Sequence, residues 1–435
     1  MQNNLPYHID VGQLQVGMYV HLDLGWMDHP FSVSNFKLKD EEQISKIKKI
    51  GLKKLRYDPK RSDCEPLPLT EELPVAAQSA PAVIETKVVD SPSVTSEKKH
   101  ISSKVERQAQ LHQAIDENEK KFVVASDIAR QITSKILIEP KKSIEQASLL
   151  VNDMVDTALM EGDVAIHALN GNTSSDKNFQ HSLNVTVLAL MMAKSIEMSR
   201  EDIRLLGIAA IFHDIGEAEI ADTVLTKKDT LTKSEQLHHE QHCEIGARMA
   251  QEVGLPVRVG KIILQHHEHA DGTGYPRRLM ADQTDPLARL VALADGFDNL
   301  CNPNNLALAR TPYEALAHMY ANLRSRFDES LLKHLIKILG IYPPGSIVRL
   351  STGAYAIVIS ANPSKPLRPY VILHDPKINR ETPQILDLRE EPNINISGCI
   401  RANQLPPDVL RYLNPRNKVS YYMNEPLQKD ESKPD

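Results

Sequence analysis

The feature that most constrains this chain is an ordered set of histidines and aspartates embedded in apolar sequence. The set contains two doublets, His213-Asp214 and His266-His267, together with two single histidines and one aspartate. Ionisable side chains rarely stay buried unless they are paired or bind a metal. A fold that buries this set therefore needs a cation among its members. The full set is His181, His213, Asp214, His242, His266, His267 and Asp295.

Helical periodicity places these residues on inward faces. Ser143 with Gln146 forms a capping box, and Ser199 with Asp202 has the related S-x-x-D pattern, so each serine is predicted to begin a helix. The apolar stripe that follows Ser199 repeats at helical spacing and leads directly into His213. The other members of the set likewise follow apolar residues by one or two turns. We therefore expect all seven side chains to converge in one helical core.

Five imidazoles and two carboxylates suit Mn(II), Fe(II) or Zn(II) better than Mg(II) or Ca(II). We expect two divalent ions, Fe or Mn, bridged by the Asp214 carboxylate, with Asp214 and His213 in the catalytic role. Such a pair, roughly 3.5–4 Å apart, would activate a bridging hydroxide for an in-line phosphoryl displacement. The remaining ligands are divided between the ions: one ion takes His181, His213 and Asp295, and the other takes His242, His266 and His267.

Changes of composition along the chain predict five segments. Residues 1–60 read as a small α+β domain, and 61–100 as a flexible linker rich in proline and alanine. Residues 101–342 form a long run of amphipathic helices with no convincing strand. Short β-branched runs predict a β-rich extension over 343–424, and 425–435 reads as a disordered tail. The expected fold class is therefore mainly α.

Bulk composition excludes several classes of protein. The net charge of -6 argues against a protein that binds nucleic acid polymers through a basic face. No apolar stretch is long enough to predict a membrane span, and the N-terminus lacks the features of a signal peptide. The four cysteines have no CxxC spacing, which is typical of a reducing compartment. These features predict a cytoplasmic protein.

The motifs around the histidines resemble those of the HD-GYP family, a subgroup of the HD phosphohydrolases. The matching strings are HSLNV (181–185), HDIG (213–216), HCEIG (242–246), HHEHADGTGYP (266–276) and ALADGFD (292–298). Residues 1–60 look like the small domain often found ahead of such modules, and PPGSIVRLS (343–351) looks like the β extension that often follows them. The resemblance covers almost everything except the linker and the tail.

The resemblance implies hydrolysis of the bacterial second messenger cyclic di-GMP to linear pGpG, and in some members onward to GMP. It also implies that Gly274, Tyr275 and Pro276 shape the ligand pocket or contact diguanylate cyclases that carry GGDEF domains. A turn built from glycine and proline that holds an ordinary packed aromatic ring is the alternative for Tyr275. The seven ligands already named are the metal ligands of the family pattern.

Three departures from the family pattern concern metal count and substrate binding. Glu217 replaces the lysine that usually contacts a substrate phosphate. Lys177 stands where members with three metals have a glutamate, which favours two metals here. Asn304 and Ala307 replace residues that are commonly cationic, and charge-assisted bonds are stronger than neutral ones. Arg289, Arg310, Lys227 and Lys228 are the candidate cations that could compensate, and we expect Arg289 and Arg310 to bind the substrate.

These departures leave three possible functions. The first is a cyclic di-GMP phosphodiesterase, and the second is a phosphodiesterase for another cyclic dinucleotide. The third is a weakly active sensor that binds cyclic di-GMP or a cyclase through the loop of Gly274, Tyr275 and Pro276 (the GYP loop). Retention of all the metal ligands favours an enzyme.

Overall fold

The structure is a computed structural model in which the chain forms two compact units, 1–106 and 107–435. The predicted tail 425–435 and most of the predicted linker, 68–100, lie outside the described residues. The residues that the structure describes are 7–22, 35–52, 54–67, 112–113, 117, 119–159, 165–168, 177–362, 364–380, 382–415 and 419–424.

The described residues of the first unit form a four-stranded antiparallel sheet and one α-helix, which confirms the predicted small α+β fold. The sheet has the order β1-β4-β2-β3, and helix α1 buries Ile44 and Ile47 in its core. Asp40 begins the helix by accepting a hydrogen bond from the Gln43 amide (2.8 Å). The elements are β1 (Tyr7–Asp10), β2 (Tyr19–His21), β3 (Asn35–Lys37), α1 (Glu41–Lys49) and β4 (Lys54–Tyr57).

The second unit is mainly helical, as predicted. Its first helix, α2, is continuous over residues 119–135. A 3-10 turn, Ile215–Glu219, follows helix α5. The other helices are α3 (Pro140–Leu159), α4 (Lys177–Ser195), α5 (Arg200–Phe212), α6 (Asp222–Leu225), α7 (Lys233–Glu240), α8 (His242–Glu252), α9 (Val257–Gln265), α10 (Pro286–Cys301), α11 (Pro312–Asn322) and α12 (Glu329–Leu339).

Helices α4 and α10 lie at the centre of this unit and pack against each other. Both are buried on almost every side, as expected of helices that are apolar all round. Leu188 and Leu190 of α4 have no exposed surface, and neither do Val291 and Phe297 of α10. Any polar side chain on these helices must therefore find its partners inside the protein.

The C-terminal region forms the predicted β-rich structure. Alternate residues of one strand serve two different cores: Ile357 and Ile359 face one cluster, and Ala356 and Val358 face the other. Burial on both faces explains the nearly continuous apolar run YAIVIS. The elements are β6 (Ile347–Leu350), β7 (Tyr355–Ser360), β8 (Tyr370–Leu373), β9 (Ile385–Asp387), β10 (Ile396–Ile400), α13 (Pro407–Leu413) and β11 (Tyr421–Asn424).

One strand lies where the sequence predicted none. Ala165–Ala168 forms β5, so the expectation that residues 101–342 contain no strand is wrong. This strand joins the C-terminal sheet, whose path is β10-β6-β7-β5-β11, while β8 pairs with β7 and β9 pairs with β8. Its main partner is β11, more than 250 residues away, with His167 opposite Tyr422. Pairing over such a distance leaves no local sequence signal.

Among the described residues, no helix is both long and apolar enough to cross a membrane.

The two predicted helix starts have different outcomes. Ser199 caps α5, and its Oγ accepts a hydrogen bond from the Asp202 amide (3.1 Å), which confirms that prediction. The prediction for Ser143 is wrong because α3 already begins at Pro140. Ser143 lies buried in the first turns of that helix. Proline is well tolerated in the first turn, where its missing N–H has no partner to lose.

Replacing Ser199 by alanine removes the cap of the helix that carries His213. We expect Ser199→Ala to lower the free energy of unfolding by about 1 kcal/mol, measured by urea denaturation of the full chain with circular dichroism. Ser134→Ala is the control, because Ser134 bonds only to carbonyl groups of its own helix, Arg130 O at 2.8 Å. It should stay within roughly 0.5 kcal/mol of the parent. Equal losses in the two variants would contradict the capping role.

Candidate metal centre

The structure brings the seven predicted ligand side chains together from several helices. They arrive at helix ends or from the buried faces of the central helices. Their ligand atoms form two groups, and within each group one atom per residue lies within 4.8 Å of the others. The groups are His181, His213 and Asp295, and Asp214, His242, His266 and His267.

The first group lies between α4, α5 and α10. His181 Nε2 is 3.2 Å from His213 Nε2 and 3.1 Å from Asp295 Oδ1. His213 has no exposed surface, and Asp295 is 4% exposed. Two imidazole nitrogens that bind one metal at about 2.1 Å lie roughly 3.0–3.4 Å apart. The spacing of this group therefore suits a single ion.

The second group gathers the histidines of α8 and the end of α9. His242 Nε2 lies 3.3 Å from His266 Nε2. Asp214 Oδ1 lies 3.7 Å from the first of these nitrogens and 3.6 Å from the second. The ring of His267 stacks at a tilt on that of His266, with centroids 4.1 Å apart. The spacing of the second group also suits a single ion.

Asp214 lies between the two groups. Its Oδ2 is 3.1 Å from His213 Nε2 and 3.6 Å from His181 Nε2. Its Oδ1 faces His242 and His266 instead. One carboxylate oxygen thus faces each group, which is the arrangement that a bridging ligand requires.

Backbone carbonyls orient three of the imidazoles. His213 Nδ1 lies 2.8 Å from Ala210 O, and the carbonyl three residues earlier is likewise 2.6 Å from Nδ1 in His242 and in His266. A carbonyl oxygen only accepts, so Nδ1 must carry the proton. In each neutral ring the lone pair is then on Nε2, which points into the centre. This is the tautomer that binds a metal.

His181 is oriented by a carboxylate instead. Its Nδ1 lies 2.7 Å from Oδ2 of Asp298, which is fully buried. Two side-chain amides, Asn184 and Asn302, each donate to the other oxygen of Asp298 at 2.8 Å. These three residues are not among those predicted from the sequence. Their spacing is the signal that reveals them, because Asp298 follows Asp295 by one helical turn and Asn184 follows His181 by one.

The charge state differs between the two groups. Burial opposes a charge on His181, but Asp295 and Asp298 outweigh burial and raise its pKa well above the usual value. In the second group, burial and the neighbouring His266 lower the pKa of His242 to about 4. Burial likewise lowers the pKa of His267 well below its usual value. His242 and His267 are therefore neutral imidazoles at neutral pH.

Asp214 stays ionised in this surrounding. Burial acts to raise its pKa, but the imidazoles of His213 and His266 outweigh burial and hold the pKa well below the usual value. An anionic carboxylate among imidazole nitrogens is a donor set for divalent metals. The residues present therefore fit a metal centre, and the cluster can bind metal ions.

A glycine allows the close crossing that brings Asp214 to His242. A Cβ at Gly216 would lie 2.0 Å from His242 O and 2.5 Å from Gly246 N. Real Cβ atoms essentially never show such distances, so the two segments can cross here only because position 216 has no side chain. The glycine of the HDIG string is thus required by packing next to the metal ligands.

The GYP loop folds back against the second group. A Cβ at Gly274 would lie 2.4 Å from His267 O, so only glycine fits there. The Tyr275 ring stacks at a tilt on His267, with centroids 4.7 Å apart, and Pro276 is half-buried beside it. Glu268, which the sequence analysis also missed, holds the loop by accepting backbone N–H groups at 2.7 and 2.8 Å.

One of the two predicted substrate cations, Arg289, pairs with a carboxylate of the protein. Arg289 Nη1 forms an ion pair with Asp328 at 2.5 Å. Arg310 is half-buried, and its backbone N–H donates to Leu300 O at 2.9 Å. The side chain of Lys177 at the start of α4 is outside the described part of the chain.

The residues that depart from the family pattern lie in two places. Glu217 lies 3.6 Å from His239, and its side chain keeps 27% of its surface exposed. Burial and the nearby Asp214 raise the Glu217 pKa. Asn304 donates to Leu225 O at 3.0 Å, and Ala307 lies in a short exposed turn.

Three protein-family models match the chain. A model described as an HD domain matches residues 164–331, which include all seven predicted ligands. A domain of unknown function, DUF3391, matches 7–166, and a KOW domain associated with the HD domain matches 347–406. The predicted boundaries at residues 60, 100 and 342 stay predictions.

Several curated relatives are similar to this chain. A cyclic di-GMP phosphodiesterase of Pseudomonas aeruginosa is 28% identical over 83% of this chain and 84% of the relative. The cyclic di-GMP phosphodiesterase response regulator RpfG of Xanthomonas campestris is 35% identical over 34% of this chain and 40% of its own length. A 3'3'-cGAMP-specific phosphodiesterase of Vibrio cholerae is 28% identical over 43% of this chain and 41% of the relative.

A solved structure of an HDG"Y"P protein from Bdellovibrio bacteriovorus has a TM-score of 0.41 and 17% identity, over 77% of this chain and 99% of that one.

The HD-domain match contains the HDIG and DGTGYP strings in the expected order. This chain therefore carries an HD domain, and its motif strings resemble those of the HD-GYP family.

Adding a single methyl group at Gly216 should separate Asp214 from the second group. We expect Gly216→Ala to lower the affinity for Mn(II) at least tenfold and to lower the unfolding temperature, because the turn must move away from α8. Gly260→Ala is the matched control, since its Cβ would meet nothing closer than 3.7 Å. Isothermal titration with Mn(II) and thermal denaturation measure both effects. Parental affinity in Gly216→Ala would contradict the proposed role of the crossing.

Proposed function

We propose that the chain is a metal-dependent phosphodiesterase that hydrolyses cyclic di-GMP to linear pGpG at a dinuclear site. The observation that carries the proposal is Asp214, with one oxygen facing each of two groups of ligand atoms. A relative of which this chain covers 84% is a cyclic di-GMP phosphodiesterase, which supports the substrate. The absence of disulfides among the four cysteines supports a reducing compartment such as the cytoplasm.

The proposed cofactor is a pair of divalent ions, Fe or Mn. Nitrogen-rich sites with carboxylates favour such transition metals over Mg(II) and Ca(II). Two ions held there would supply an activated water and stabilise the attacking and leaving oxygens of a phosphoryl displacement. His181, His213 and Asp295 would hold one ion, and the other would be held by His242, His266 and His267.

The protein side chains have separate roles in this proposal. Asp214 and His213 would hold the ions, with one oxygen of Asp214 facing each group of ligand atoms. Nδ1–H bonds to carbonyls keep the rings of His242 and His266 in the binding tautomer. The Tyr275 ring lies beside His267 and would form one wall of the substrate pocket. The GYP loop is also the proposed contact for GGDEF-domain cyclases.

Substrate binding is the weaker half of the site. Glu217 places a carboxylate close to Asp214, and we propose that a substrate phosphate approaches this position. Lys227 Nζ forms an ion pair with Glu235 Oε2 at 2.6 Å, so Lys227 does not supply the missing substrate cation. We propose that Arg289 and Arg310 contribute the positive charge, with Arg289 exchanging Asp328 for a substrate phosphate.

A second candidate function is hydrolysis of 3'3'-cGAMP. Vibrio cholerae phosphodiesterases specific for this dinucleotide are 25–29% identical to parts of the chain. Altered charge at Glu217 and Asn304 is the observation that favours a changed substrate. A weakly active sensor of cyclic di-GMP is the remaining alternative.

Neutralising the bridging carboxylate tests the enzyme proposal. The full chain, purified with Mn(II) or under anaerobic conditions with Fe(II), should hydrolyse cyclic di-GMP faster than 3'3'-cGAMP, and Asp214→Asn should lose at least about 100-fold in kcat. Chromatography of pGpG and GMP is the measurement. Asp408→Asn, an exposed carboxylate on α13, should match the parent.

Three outcomes separate the alternatives. Faster turnover of 3'3'-cGAMP would overturn the substrate in favour of the second candidate. Tight binding of cyclic di-GMP without turnover, in a parent that holds two metals, would favour the sensor. Equal rates in the parent and Asp214→Asn would overturn the metal mechanism.

Restoring a lysine at position 217 should strengthen substrate binding. We expect Glu217→Lys to lower KM for cyclic di-GMP roughly three- to tenfold, because a charge-assisted contact replaces a repulsive carboxylate. Glu244→Lys makes the same charge change on an exposed position of α8 and should leave KM unchanged at 0.15 M salt, where surface charges are screened. An equal KM in Glu217→Lys and the parent would contradict the proposed position of the phosphate.

A further inference from the structure

The strand β11 and the residues just before it approach the metal centre behind His181. Asn184 Oδ1 accepts a hydrogen bond from the Tyr421 amide (2.9 Å), and Asn302 Oδ1 accepts one from the Val419 amide (2.8 Å). The Nδ2 groups of the same two asparagines both donate to Val419 O at 2.9 Å. Two side chains of the helical core therefore replace the neighbouring strand that this backbone lacks on one side.

The same two amides also hold the carboxylate that orients His181. Each Nδ2 has two hydrogens, and the second one donates to Asp298 Oδ1 at 2.8 Å. The other oxygen of Asp298 is then left for His181 Nδ1. Asn184 is 1% exposed and Asp298 is fully buried, so water does not substitute for these bonds. A continuous chain of bonds thus runs from the strand backbone to a predicted metal ligand.

Packing fixes the position of the strand. Tyr421 is fully buried and faces Phe297 on α10, with ring centroids 6.1 Å apart. The strand also packs against α3 and α4 and pairs with β5. Because it is held on several sides, it presents its amides to Asn184 and Asn302 in one register.

We propose that residues 419–421 are a positioning element of the metal centre. They fix Asn184 and Asn302, these fix Asp298, and Asp298 sets the orientation of His181. The HD-domain match ends at residue 331 and the KOW match at 406, so the centre recruits this element from beyond both. The inference rests on the proposed function, because it requires that His181 binds a metal.

The strength of the effect follows from known behaviour of outer ligands. Changing a residue that orients a metal-bound histidine costs about 10–100-fold in metal affinity. Asn302 acts on His181 through Asp298, so we expect Asn302→Ala to weaken one of two Mn(II) sites about tenfold and to leave the second site unchanged. A residue that only anchored the backbone of residues 419–421 would change the free energy of unfolding but not the metal affinity.

Mn(II) titration of the metal-stripped full chain, followed by the electron paramagnetic resonance signal of free Mn(II), is the first test. Asn362→Ala is the matched control, because Asn362 is also a buried asparagine (4% exposed) that closes a loop, but within the C-terminal β structure. It should lose stability and keep both parental affinities. Parental affinities in Asn302→Ala would overturn the inference.

A second test uses the unmutated chain, so it does not depend on whether a variant folds. Coupling between two sites is reciprocal, so metal binding must stabilise the strand if the strand stabilises the metal. Hydrogen exchange of the Val419 and Tyr421 amides should slow at least threefold when Mn(II) is added. Exchange that is unchanged, in a chain that has bound two Mn(II), overturns the inference alone. A chain that binds no Mn(II) overturns the proposed centre and the inference with it.

Discussion

The rest of the structure depends on how a buried cluster of ionisable groups is stabilised. Nε2 atoms of His181 and His213 lie 3.2 Å apart, and those of His242 and His266 lie 3.3 Å apart. Carbonyl acceptors place the Nδ1 proton on three of these rings, so neutral rings would direct lone pairs at each other. A proton or a cation between the rings removes that repulsion. Divalent ions held by these residues would remove the repulsion in both groups at once, and the need for a cation explains the positions of the surrounding residues.

Residues outside the set of seven predicted ligands support this cluster. Gly216 lets two segments cross at a distance that no side chain permits, and Glu268 holds the GYP loop against the second group. Asp298 orients His181 from a helix that is buried on almost every side. Each of these residues acts by fixing a neighbour in one orientation, which preorganises the site before metal or substrate binds.

Local patterns predicted much of the site. Helical periodicity placed the seven ligands on faces directed into one core, and the motif strings showed the resemblance to the HD-GYP family. Contacts between distant segments were not predictable. Strand β5 forms because β11 pairs with it, and Asn184 looks like an ordinary polar residue until Val419 and Tyr421 are placed beside it. The pairing of Lys227 with Glu235, which removes a candidate substrate cation, likewise depends on three-dimensional placement. A single sequence read by periodicity carries no such information.

The proposed centre requires Asp214 to contact two metal ions at once. The decisive measurement is anomalous X-ray diffraction from crystals of the full chain grown with Mn(II), recorded on both sides of the manganese absorption edge. We expect two anomalous peaks roughly 3.5–4 Å apart, one beside His181 and His213, the other beside His242 and His266, with Asp214 between them. A single peak, or peaks that Asp214 does not contact, would contradict the proposed centre.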